Sequence, residues 1–277
     1  MISKRWFVCW SLLPAPSRKE IPFSPTLREF LKKAGSKVAG RSPSRKIVGQ
    51  FMARVVLLFI QGWARCRENL LANLLTGIVL WIMGGLLIAA FHWHPAFNAV
   101  LGEVGVKKAE WGYGYSCLST AFFGGLVPYC LLFFQGKIPS GRKLAWLAFF
   151  LVFWGVKGME VDAFYRLQGF FFGYSADFQT ILSKVLVDQF VYCIFWSAPC
   201  TAVFYGWKRT GFSFWKDRPW LSVGYILEES AFLLVSTWVI WIPSVSIIYA
   251  MPKDLQIPLF NLTLCFFVLV ISMLEKR

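Results

Sequence analysis

Residues 115–134 read YSCLSTAFFGGLVPYCLLFF, twenty consecutive positions without a charge. About 20 apolar residues in helical form cross the roughly 30 Å hydrocarbon core of a bilayer. The run is continuous rather than alternating, so it reads as a helix and not as a barrel strand. Runs of the same kind follow the chain from residue 70 almost to its end: Leu70–Phe91, Leu144–Val156, Leu186–Tyr205, Ser230–Met251 and Ile257–Leu274. The 277 residues are 57% hydrophobic and 18% aromatic, with a mean hydropathy of +0.56, more apolar surface than one soluble core can hide. The fold class that follows is all-α, a multi-pass integral membrane helix bundle of about six transmembrane helices.

The chain divides into a basic extension, 1–69, and a transmembrane helical domain, 70–277, with spans near 70–91, 115–134, 144–161, 186–205, 230–251 and 257–274. The extension holds 14 Lys and Arg against Glu20, Glu29 and Glu68. Its start resembles a weak signal peptide but runs into Pro14-Ala15-Pro16, which argues against cleavage. Phe51–Trp63 suits an interfacial amphipathic helix. The acid-poor, Arg- and Ser-rich composition also fits an organellar transit peptide, so retention or processing of 1–69 stays open.

Charge settles how the short run Leu144–Val156 is read. With the basic N-terminus on the cytoplasmic side, a crossing there puts Lys137, Arg142 and Lys143, then Lys208, Arg209, Lys216 and Arg218, and finally Lys276-Arg277, all on that side. Without the crossing, the Lys208–Arg218 connection lands outside. Six spans are therefore expected, in a bacterial inner membrane or an organellar one. The net charge of +15 lies in connections and extension, which points to anionic lipid headgroups as partners rather than to nucleic acid. Trp93, Trp111, Trp146, Trp207, Trp215 and Trp220 fall near span ends, as an aromatic belt does; Trp81, Trp196, Trp238 and Trp241 lie deeper and read as packing residues.

Little here suggests catalysis. The seven cysteines show no CxxC spacing, and His92 and His94 sit together at one helix end without an evident third ligand. No catalytic residue, metal site or cofactor is expected. Ionisable groups at membrane depth are the functional candidates. Asp188 and Gln189 stand at the start of a span in KVLVDQF, with Lys184 four residues earlier on the same helical face, able to pair with Asp188. Lys184, Asp188 and Gln189 read either as a polar pore mouth or as a salt-bridged cap. Glu228-Glu229 read as a pair in a helix's first turn, and Asp162 with Arg166 as an i, i+4 pair.

The Lys184-x-x-x-Asp188-Gln189 box, followed by Trp196 and Pro199, resembles the Mpv/PMP family of small peroxisomal and mitochondrial inner-membrane channel-like proteins. Trp241-Ile242-Pro243, Tyr249, Pro252 and Ile271-Ser272 resemble that family's later signature, and Thr76-Gly77, Gly84 and Gly124-Gly125 its first two helices. The likeness spans roughly 70–277. It departs at Ile194, Ile248, Gln256 and Gly85, and by an insertion containing Leu144–Phe172, so the chain looks like a divergent member. The resemblance implies a multi-pass, channel-like protein and no enzyme. It also implies that Lys184, Asp188 and Gln189 are the positions to test, and that Pro199, Trp241, Pro243 and Pro252 are structural. The expected function is passage of small solutes or membrane homeostasis, alone or as a homo-oligomer; a scaffold without flux and a secondary transporter are the alternatives.

Overall fold

The computed structural model describes residues 77–214 and 218–274, so the extension 1–69, its expected interfacial helix, and Trp215 lie outside the described residues. Among those described there is no strand. Seven helices can be numbered: α1 Gly77–Trp93, α2 Pro95–Trp111, α3 Tyr113–Phe134, α4 Lys143–Phe172, α5 Phe178–Arg209, α6 Val223–Tyr249 and α7 Lys253–Leu274.

By length and composition, α3, α4 with its leading turn, and α5 can each cross a bilayer. The bent pair α1 with α2 and the two halves of α6 also qualify when each is taken as one span, giving three to five candidate spans against the six expected. The boundaries differ as well. The short run at 144–161 is part of a 30-residue helix. The span expected from 186 begins at Phe178, and the one expected from 230 begins at Val223, capped by Ser222. The Asp177 carboxylate caps α5 through the Thr180 amide (2.9 Å). With the Ser175 hydroxyl beside it, that carboxyl is held well below the usual range, so the cap is present at neutral pH and is released only as pH falls into strong acid.

The connection 92–114, read as a loop, is largely α2. Pro95 disfavours the helical conformation at His94, which sits extended (φ −115°, ψ 101°), and the chain turns by 101° between α1 and α2. His94 then caps α2, its Nδ1 facing the Phe97 amide at 3.3 Å. Gly105 lets α2 lie against Leu255 at the start of α7.

Two spans carry widened π turns, Ala121–Leu126 in α3 and Asp188–Ser197 in α5. Each is followed by a proline, Pro128 or Pro199, whose ring would strike the carbonyl four residues back, at Gly124 or Phe195. Widening the turn removes that collision, the usual use of a π bulge. Pro243 lies inside α6 and Pro258 inside α7, while Pro252 precedes α7 and its carbonyl accepts the Leu255 amide (2.9 Å). Trp241 is buried against Phe260 (5.5 Å between ring centres). Trp196 departs from expectation: it is 54% exposed on the outer face rather than packed.

The α3–α4 seam is set by small residues. A Cβ on Gly125 would stand 2.7 Å from the Phe150 carbonyl oxygen, and one on Gly158 would collide with the Ser116 carbonyl and the Thr120 side chain. Backbones this close exclude any larger residue. Beside the seam, Phe149 stacks on Phe153 (5.6 Å), and the Trp154 indole donates to the Tyr205 hydroxyl (3.2 Å).

The helix ends group by charge. At one end the Arg142 guanidinium lies against Gly211, and Lys208 stands 4.4 Å from the Trp146 ring, joining the α3–α4 and α5–α6 connections. At the other end Arg166 covers the Tyr113 ring (4.7 Å), and Lys184 faces Tyr174 (4.7 Å) and Tyr249 (5.5 Å). The strongly basic connections therefore share one end of the bundle, as the charge pattern requires.

Gly158→Leu should abolish recovery of monodisperse protein, whereas Gly85→Ala, where a Cβ meets nothing within 4 Å, should leave yield and melting temperature unchanged. Size-exclusion profiles and thermal melts of the two variants test this.

Candidate functional site

Charged groups withdrawn from water must be paired and hydrogen-bonded or they cost several kcal/mol. Lys208 is buried at the basic end against aromatic rings, and two further clusters, each around a buried carboxylate, meet that requirement in opposite ways.

The first is centred on Asp162 of α4. Its Oδ2 accepts from Lys108 Nζ (2.8 Å) on α2 and from the Ser116 hydroxyl (2.7 Å) on α3; its Oδ1 accepts from Arg166 Nε (3.0 Å). The expected Asp162–Arg166 pair is present. Lys108 was not singled out from sequence, because it stood in a connection whose charges balanced Glu103 and Glu110. Lys107 takes Glu110 instead (2.8 Å), freeing Lys108 to turn inward. Two residues before Asp162, Glu160 points to another face, as i, i+2 spacing dictates. Its carboxylate accepts from Lys157 Nζ (2.7 Å) and from the Tyr192 hydroxyl, with Lys157 also reaching Ser197 (3.4 Å).

The second cluster is the box identified from sequence. Asp188 lies ten residues into α5, about 15 Å along its axis at 1.5 Å per residue. Lys184, Asp188 and Gln189 are 1%, 4% and 2% exposed. Lys184 and Asp188 do not form an ion pair. Lys184 is turned onto aromatic rings, and Asp188 accepts from neutral donors: the Tyr249 hydroxyl (2.5 Å) at Oδ2, and Gln189 Nε2 (2.9 Å) and Cys193 Sγ (3.5 Å) at Oδ1. Tyr249, which the sequence marked only through the family resemblance, thus ties α6 to α5. The π turn beginning at Asp188 shifts the helical register from there on.

Two cavities flank these clusters. One, ≈ 240 Å³, is polar and lies at the Asp162 end, lined by Lys108, Asp162, Arg166, Tyr174 and Asp254. The other, ≈ 90 Å³, is mainly apolar and holds Asp188 and Gln189 in its wall. Tyr165 lines both, and its ring packs edge-on against Tyr249 (5.0 Å between centres). Nothing in the sequence distinguished Tyr165 from the other aromatic residues.

The remaining candidates fall elsewhere. Glu229 pairs with Arg209 (3.3 Å) beyond the first turn of α6, not in it as expected. His92 and His94 are exposed, and among the described residues no three His, Cys, Asp or Glu side chains come together as metal ligands. No protein-family model, curated protein or solved structure matches the chain.

Asp162→Asn leaves the buried Lys108 without its carboxylate and should destabilise the fold by on the order of 3–5 kcal/mol. Replacing both by apolar residues, Lys108→Met with Asp162→Leu, should recover most of that loss. Denaturant melts in one detergent compare the three proteins.

Proposed function

We propose that this chain is a six-span membrane protein that admits small solutes through a path between its helices, closed in this conformation. The observation that carries the reading is Tyr165, which stands between a polar cavity at one end of the bundle and a smaller one against Asp188 deeper inside. A conducting path needs polar lining, which the cavity at the Asp162 end supplies throughout and the smaller, mainly apolar one supplies at Asp188 and Gln189. The sixth span is α7, where the run 257–274 is expected to cross; the first is α1, whose expected start at residue 70 precedes the described residues. The basic end faces the cytoplasm or its organellar equivalent, where the exposed Lys137, Arg142 and Lys143 meet anionic headgroups. Membership of the Mpv/PMP family agrees with this reading, through Lys184, Asp188 and Gln189. The protein performs no catalysis in it.

A secondary transporter is the second reading. It is favoured by the 58° bend between Val223–Leu234 and Thr237–Tyr249, where the Thr237 hydroxyl bonds back to the Leu233 carbonyl (2.7 Å). Such a hinge beside the Asp188 cavity suits alternating access.

Proteoliposomes of purified, correctly inserted protein should release small solutes slowly, and Tyr165→Ala should speed release by roughly tenfold or more by removing the barrier between the cavities. If both proteins leak no more than empty vesicles, permeation is lost as a reading and a scaffold role replaces it. Accumulation against a gradient, in place of passive equilibration, would select the transporter.

A further inference from the structure

Asp188 is a buried carboxylate with no Lys, Arg or His within ion-pairing distance among the described residues. The contrast lies one helix away, where Asp162 has two cations. The cations nearest in the fold are committed. Lys157, in the same cavity wall, holds Glu160 and Ser197. Lys184 lies over the Tyr174 and Tyr249 rings. The three donors that Asp188 does receive are neutral and occupy three of the four or so lone-pair positions of a carboxylate. One direction is left for a donor from the cavity.

The rest of the wall says what kind of donor. Trp154, Tyr165, Tyr192, Trp241 and Phe260 line the space. Aromatic faces attract cations, tryptophan most of all, and attract organic ammonium ions without stripping them of oxygen ligands they require. A hard metal cation wants about six oxygens around it, and a wall made mainly of rings and aliphatic groups does not offer them. Size sets the remaining limit. An apolar cavity of about 150 Å³ takes benzene, with its six heavy atoms, so ≈ 90 Å³ takes about four.

We infer that the cavity between α4, α5, α6 and α7 is a binding site for a small primary ammonium ion of about four heavy atoms, its N–H groups on the Asp188 carboxylate and its carbon atoms against the aromatic wall. This names a substrate class for the path proposed above and rests on that reading only for the route in; occupancy of the site is measurable without flux.

The test is isothermal titration of the detergent-purified protein with ethylammonium chloride and with ethanolammonium chloride. Tetraethylammonium chloride and potassium chloride at equal ionic strength serve as comparisons. Saturable heat with the first two ions and none with the last two is expected. Asp188→Asn should weaken ethylammonium binding by roughly tenfold or more, since the amide removes the charge and keeps the shape. A wild-type protein that binds none of the four ions, or binds all four alike, overturns the site, and this arm does not depend on any variant folding. A folded Asp188→Asn protein that binds ethylammonium as the wild type does also overturns it. Ammonium binding with no solute release from proteoliposomes would remove the permeation reading and leave the site standing. Release with no ammonium binding would do the reverse.

Discussion

Burying a carboxylate among apolar helices is the constraint from which the arrangement of this bundle follows. Asp162 meets it by drawing donors from three helices, Lys108 of α2, Ser116 of α3 and its own neighbour Arg166. That convergence fixes where α2 lies, although α2 has no continuous apolar face of its own. Asp188 meets the same constraint with neutral donors, and so joins α5 to α6 through Tyr249 without cancelling its charge. One cluster is complete as it stands; the other has capacity left over. That difference, rather than the presence of polar residues as such, distinguishes the two clusters.

The helices can come close enough to build these clusters because their backbones are locally adapted. Glycines at 125 and 158 bring α3 and α4 within reach of one another's carbonyls. Where Pro128 and Pro199 would break a regular helix, a wider turn precedes each of them. In α5 that wider turn begins at Asp188 itself, so the irregularity needed by a proline eleven residues later also sets the direction of the residues that surround the smaller cavity. Packing and site are consequences of the same deviation from ideal helix geometry.

The two cavities acquire their meaning from what separates them. Tyr165, buried and packed on Tyr249, lines both, and the Asp162 cluster beside it is held by two cations. On the permeation reading proposed above, Tyr165 is the residue that would have to move for a solute to pass from the polar cavity to the Asp188 carboxylate. The same parts, with the bend in α6, would serve alternating access, and the choice between them turns on whether α6 moves.

By itself the sequence determined the solvent and the class of fold. An unbroken charge-free run such as 115–134 has one stable form in lipid, a helix, because no other single segment satisfies its own backbone. It also marked Lys184, Asp188 and Gln189, since ionisable groups inside such runs are few and conspicuous, and it grouped the basic connections at one end. The partners of those residues were decided only by the tertiary structure. Spacing suggested that Lys184 pairs with Asp188, four residues on, but a π turn and the ring of Tyr249, 61 positions away, drew them to different neighbours. The helix α2 is hidden for a related reason: its tertiary partners are distant in sequence, Asp162 for Lys108 and Leu255 for Gly105, and no local pattern records contacts of that length. Local chemistry dictates which segments enter the membrane; which charges find each other there depends on packing between segments far apart in the chain.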